Sequence, residues 1–290
     1  KGITPFLTKP GAATGNPYRL EANANKSFQG SIVLGMGFVL TPEEAQRLIE
    51  KDPRNRDVLF PYLNGEDLNS RPDQSPSRWV INFGEMTEEE SRSYPDCFEI
   101  VEKKVYPERI IKDPSKYPRM VYEWWKFWCA RPGLYSAIAG MERVFLRARV
   151  SQTHAIAVLP PRIVASDQTV VFGLKTWGIF SILQCSIKIS WLEKYASSMR
   201  TDVRYTPSDC FETFPFPDDT KSLERIGRDY YEFRREIMLS RQEGLTKTYN
   251  RFHNPGEDAE DIRRLRELHV EMDVAVAKAY GWEDLDLGYG

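Results

Sequence analysis

The 290-residue sequence has no apolar run approaching the roughly 20 residues that a membrane-spanning helix needs; Lys, Arg, Asp, Glu or Gly interrupts every one. Its first residues lack the basic-then-apolar plan of a secretory leader, so a soluble cytoplasmic chain is expected. The four cysteines, Cys97, Cys129, Cys185 and Cys210, stand far apart without a C-x-x-C pair, which excludes a zinc knuckle or a dithiol redox motif and leaves reduced core thiols. The three histidines, His154, His253 and His269, lack metal-ligand spacing, and no metal site is expected. A phosphate-binding Walker loop, a nucleophile elbow and a Ser/His/Asp constellation are all missing.

What remains is a chain with 41% hydrophobic and 28% charged residues, enough to bury the core of one large domain or two modest ones. A net charge of -2 hides a segregated distribution. Lysines and arginines gather in residues 103–149, whereas acids concentrate in 41–73, in 85–90 and toward the C-terminus. One face can therefore be positive on a nearly neutral molecule.

The expected fold class is α+β: a β-rich domain with several helices, followed by a C-terminal helical segment. Residues 1–26, rich in Gly, Pro, Ala and Asn, are read as a connector, 27–217 as the main domain and 218–290 as the helical segment. An apolar, Gly-spaced run at 31–40 predicts a buried strand. Thr41 then caps a helix with Pro42 in its first position, ending near Lys51. Strands are expected at 57–63 and 78–83, with a polar turn region between them, and helices at 94–104 and 123–139. Short β-branched segments at 144–151, 154–159, 162–165 and 169–174 suit an antiparallel meander. Residues 177–197 have helical spacing and 201–205 form a strand. The prolines of Phe214-Pro215-Phe216-Pro217 mark a boundary, and amphipathic helices follow at 223–243 and 258–280.

Two strings imitate catalytic motifs. Pro95-Asp96 followed by Glu102 and Lys104 has the residue types of a Mg²⁺-dependent nuclease, but the short spacing puts them on one helix as a charged face. Asn16-Pro17-Tyr18 reads as a turn. The aromatics Trp124, Trp125, Phe127 and Trp128 have core spacing, with base stacking as the functional alternative.

Residues 200–205 carry more information. On an extended strand Arg200, Asp202 and Arg204 form one row, since alternate side chains share a face. An arginine can donate to guanine O6 and N7 while an acid accepts from cytosine N4, so Arg200 and Asp202 suit base recognition; an exposed salt-bridge row is the alternative. Arg147, Arg149 and Ser151 alternate similarly, and Ser166-Asp167-Gln168 forms a polar patch at a strand start. Of these, Ser166 and Gln168 are candidates for base recognition, and Arg147, Arg149, Ser151 and Arg204 for the DNA backbone or recognition.

Four strings together resemble the region that follows the methyltransferase domain in MmeI-like type IIL restriction-modification enzymes and related N6-adenine DNA methyltransferases: KSFQG at 26–30, LFPYLNG at 59–65, RYTPSDCFETFPFP at 204–217 and LTKTYNRFH at 245–253. The resemblance covers nearly the whole chain. It implies a target-recognition domain binding double-stranded DNA, joined in one polypeptide to a methyltransferase domain preceding residue 1. It also implies that a charged pair just before the R-Y-[ST] strand, here Arg200 and Asp202, reads one base pair, and that Ser166 and Gln168 lie in another specificity-determining stretch. The sequence departs from a complete family enzyme in lacking the Gly-rich cofactor turn and the D/N-P-P-Y/F tetrapeptide that clamps the adenine. S-adenosylmethionine is thus expected in the upstream domain and no cofactor in this chain. The competing readings are a nuclease using Asp96, Glu102 and Lys104, and a structural scaffold of a phage-defence complex.

Overall fold

A computed structural model describes residues 16–151, 153–199 and 202–287. The β-strands are β1 (Ser27–Gln29), β2 (Val39–Leu40), β3 (Leu59–Leu63), β4 (Arg78–Ile81), β5 (Val144–Ala148), β6 (Val150–Ser151), β7 (Ala157–Leu159), β8 (Val164–Ala165), β9 (Thr169–Phe172), β10 (Ser197–Met199) and β11 (Asp202–Arg204). The helices of the first half are α1 (Pro42–Lys51), α2 (Gly65–Ser70), α3 (Glu88–Arg92), α4 (Pro95–Lys104), α5 (Tyr106–Ile110), α6 (Pro118–Tyr122) and α7 (Pro132–Ile138). Those of the second are α8 (Trp177–Gln184), α9 (Ser186–Tyr195), α10 (Glu224–Arg241), α11 (Leu245–His253) and α12 (Glu260–Ala279). The architecture is α+β, as the sequence predicts.

Local chemistry explains the best-defined elements. Thr41 accepts from the Glu44 amide and Glu44 returns a bond to the Thr41 amide, so α1 opens with a complete capping box and Pro42 in its first turn. The polar segment after β3, expected as a turn, is the short helix α2: Asn64 accepts from the Asp67 amide and Asp67 accepts from the Asn64 amide. The capping box is what converts the turn-prone residues to helix.

Three sheets carry the fold among the described residues. One has the order β1-β9-β5-β7, all antiparallel. A second, β2-β4-β3-β8, ends in a parallel pair, with Tyr62 opposite Val164 and Leu63 opposite Ala165. The third is a narrow ribbon, β10-β11-β6. The expected meander is therefore divided. β5, β7 and β9 share a sheet, but β8 leaves them to join β3.

Every residue of β5 is buried, because both faces of its sheet are covered. Phe145 packs with Phe172, Phe180, Tyr230 and Leu265 on one side, while Val144 and Leu146 meet Leu134, Ile138 and Leu68 on the other. The core does not divide at Pro215 and Pro217: residues of β5 and β9 share one cluster with α10 and α12. The N-terminus of α11 also lies against α2 so closely that a Cβ on Gly244 would meet the Ser70 carbonyl carbon at 2.4 Å.

Three sequence expectations give way to tertiary demands. Residues 31–40 form no continuous strand: bridges at Ser31 and Ile32 are followed by a turn in which Leu34 has φ +51°, then a 3-10 turn and β2. Residues 123–131 are not helical, because Trp124, Trp125 and Phe127 all turn into the core under β2-β4-β3; their role is packing. The helix expected at 177–197 breaks at Cys185, whose extended backbone separates α8 from α9.

Candidate nucleic-acid interface

The expected strand 144–151 breaks at Arg149, where the chain leaves one sheet and enters the ribbon. At that crossing the Arg149 amide donates to the Gln168 carbonyl at 2.7 Å, and its own carbonyl accepts from the Tyr205 amide at 2.8 Å. One residue thus ties the β8–β9 turn, residues 166–168, to the end of β11. The turn is held from its other side too. The Ser166 amide donates to the Leu63 carbonyl at 2.8 Å, and Gln29 Nε2 donates to the Asp167 carbonyl at 3.1 Å. Gly30 approaches so closely that a Cβ there would lie 2.1 Å from the Ser166 carbonyl oxygen.

The outward side chains at this junction are Arg149, Asp167, Gln168 and Arg204, partly or fully exposed. Arg149 has its pKa lowered, by burial first and then by the neighbouring Arg204, with Asp167 opposing. These groups therefore sense one another across three segments of chain. The guanidinium groups of Arg149 and Arg204 make no hydrogen bond or ion pair among the described residues. Elsewhere arginines are neutralised, as in Arg241–Asp261 at 2.7 Å and Arg251–Glu243 at 2.8 Å. Gln168 Oε1 accepts from the Gly65 amide at 3.4 Å, which leaves its Nε2 as an outward donor.

Of the two residues expected to form a reading pair, Arg200 lies outside the described residues. Asp202 begins β11, its Cα opposite Met199, while Val203 pairs with Ser151 and Arg204 with Val150. The segment 202–204 is thus a strand at this junction.

Three other candidates need correction. Arg147 does not face outward with Arg149: it lies on the inner face of β5 at 1% exposure, its guanidinium 4.6 Å from the Tyr205 ring centroid, donating to the Ala148 carbonyl at 3.2 Å. The break at Arg149 cancels the alternation on which that expectation rests. Ser166 is 2% exposed, and its hydroxyl accepts from the Gln168 amide at 3.3 Å, so it shapes the turn. The Ser151 hydroxyl is turned onto Thr153, bonding its hydroxyl at 2.9 Å and its amide at 3.1 Å.

The basic stretch 103–149 is likewise not all surface. Arg109, 2% exposed, donates to the carbonyls of Val33, Leu34, Trp124 and Lys126, and burial pulls its pKa down to about 10. Lys103, Lys104, Lys112 and Lys116 remain exposed. The nuclease-like residues share helix α4, and the two acids are occupied: Asp96 pairs with Lys51 at 2.6 Å and Glu102 with Arg92 at 3.1 Å, while Lys104 is exposed. One helix cannot converge such groups on a phosphate, and the nuclease reading loses its geometry.

Next to the 166–168 turn is a cleft of about 320 Å³ lined by Leu34, Met36, Tyr62, Asn64, Arg78, Asp167 and Gln168 among others. Sequence reasoning passed over Asn64 and Arg78, since one reads as a turn former and the other as a charge at a strand end. Only the pairing of β3 with both β4 and β8 brings them beside Gln168.

This α+β framework is similar to part of one solved restriction-modification enzyme. Over 97% of the chain it superposes, with a TM-score of 0.71 and 19% identity, on 36% of the solved chain of the type IIL restriction-modification enzyme MmeI, determined in complex with DNA. A weaker likeness, TM-score 0.44 with 13% identity over 92% of this chain and 32% of the other, is to the type IIG restriction endonuclease BpuSI. Residues 22–218 match the model of the MmeI target recognition domain, and the chain belongs to that family. No curated protein matches it. The chain spans about a third of the length of those two enzymes. Among the described residues no helix is long and apolar enough to cross a membrane.

Proposed function

We propose that this chain reads a specific sequence in double-stranded DNA, as the specificity part of a restriction-modification enzyme that methylates adenine at N6. The carrying observation is the junction of the β6–β11 ribbon with the 166–168 turn, where Arg149 and Arg204, without carboxylate partners among the described residues, stand beside Asp167 and Gln168. Arginines bond guanine bidentately, amides bond adenine and carboxylates accept from cytosine, so this set can discriminate base pairs in a major groove. Exposed lysines of residues 103–116 supply attraction to phosphates without sequence preference. Arg200 and Asp202, the charged pair that the family resemblance singles out, read one base pair of the site.

Methyl transfer belongs to a methyltransferase domain of the same polypeptide. The residues of this chain do not fit S-adenosylmethionine, since they include neither a Gly-rich strand-to-helix turn nor a D/N-P-P-Y/F string. The test is selection of binding sites from randomised duplexes, first with the 290-residue chain and then with the double exchange Arg200→Glu, Asp202→Arg. The wild type should yield one motif, and the exchange should change the preferred base pair at one position. An unselective wild type defeats recognition altogether; an unchanged motif reduces the pair to a surface salt bridge.

A further inference from the structure

Arg78 is the first residue of β4, exposed and directly opposite Tyr62 of β3. Its guanidinium makes no hydrogen bond or ion pair among the described residues. It lines the cleft together with Gln168 and the exposed apolar pair Leu34 and Met36, 49% and 68% accessible. Arg78 of β4 lies opposite Tyr62 of β3, which lies opposite Val164 of β8, and the 166–168 turn follows directly on β8.

We propose that Arg78 is a further specificity-determining residue, placing its fork on the O6 and N7 of a guanine close to the base pair faced by Gln168. This rests on the DNA-reading function proposed above and extends its footprint across the second sheet. Three features favour a base edge over a phosphate. The cleft is concave and continuous with the 166–168 turn. The exposed Leu34 and Met36 in its lining offer contact to a thymine methyl group, where a phosphate needs solvent or donors. The 33–34 wall is fixed from behind by Arg109, whose guanidinium bonds the Val33 and Leu34 carbonyls at 3.1 and 2.8 Å, so the cleft is held open before any ligand enters.

The experiment is the same randomised-duplex selection with Arg78→Lys and Arg78→Ala in the full chain, with folding checked by circular dichroism. Because Arg78 is exposed at a strand end, neither change removes core packing. Arg78→Lys keeps the charge but loses the planar fork, so it should hold overall affinity while preference for guanine at one position falls about tenfold or more. Arg78→Ala should lose the same preference. A uniform drop in affinity on all sequences, restored by lysine, would make Arg78 a phosphate clamp and overturn the proposal, as would an unchanged motif. If the wild type selects no motif, the DNA-reading function itself fails; if it selects one and the variants keep it, only the role of Arg78 does.

Discussion

Gly30→Ala tests whether the recognition turn is held by its frame. The added Cβ would sit 2.1 Å from the Ser166 carbonyl oxygen and 2.5 Å from that of Ala165, both backbone atoms without a rotamer of escape. Restoring an ordinary contact requires the end of β1 and the turn to part by about 1 Å. That strains the bonds of the Gly30 amide to Thr169, 3.1 Å, and of the Ser31 amide to Ala165, 2.8 Å. Overpacking of this kind costs about 1 to 3 kcal/mol, visible as a lower urea midpoint with an unchanged slope. The same shift moves Asp167 and Gln168 relative to Arg149, so binding discrimination should fall further than the small loss of folded fraction explains. Paired measurements of urea unfolding and duplex selection decide it. Wild-type stability together with a wild-type motif would mean that the turn is not anchored by this contact.

Arg109→Met should destabilise the chain by roughly 3 kcal/mol or more, because it strips charged donors from three buried carbonyls and a fourth that is partly buried, and urea unfolding reads the loss directly. Stability should also fall in mild acid. Burial first and Arg147 second push His154 down to about 3, and burial lowers His269 as well, so between these lowered values and the ordinary 6.5 the unfolded chain binds protons that the folded chain refuses. The contribution is complete above about pH 6.5 and is lost as pH falls, by up to about 1.4 kcal/mol per pH unit per histidine. Urea midpoints at pH 7.5 and 5.5 should differ, and His154→Gln should narrow the gap; equal midpoints would contradict it.

The sequence made some of this architecture legible and hid the rest for physical reasons. Helix α1 is written locally, in a Thr cap, a Pro at the first position and a Glu three residues after the cap, and its observed bounds match the reading. Residues 123–131 misled because Trp124, Trp125 and Phe127 have helix-like spacing, yet reach their core by turns that only the sheet above them dictates. Arg147 and Arg149 looked equivalent because alternation assumes an unbroken strand. The break between them is caused by a distant carbonyl, that of Gln168, which no local pattern announces. Arg78 and Asn64 were invisible as site residues for the same reason: their nearness to the turn depends on a parallel pairing between β3 and β8, about a hundred residues apart.

The way the face is held also says which positions can change without refolding the chain. The 166–168 turn, the crossing at Arg149 and the end of β11 are joined by backbone bonds: Arg149 to Gln168, Tyr205 to Arg149 and Ser166 to Leu63. None of these needs a particular side chain at 149, 168 or 204, and those side chains point outward, so substitution there costs little beyond its effect on the ligand. Gly30, Arg109 and Arg147 are the opposite case. Each fills or bonds a space in the frame, and Arg147 carries its charge under Tyr205, at the foot of the very strand that presents Arg204. A new specificity can therefore be built by exchanging residues on the outer face, whereas changes in the inner set act on every base pair at once by moving the strand or the turn. Variants at 149, 168 and 204 should alter which sequence is selected at near wild-type stability, and variants at 30, 109 and 147 should lose stability first and selectivity with it.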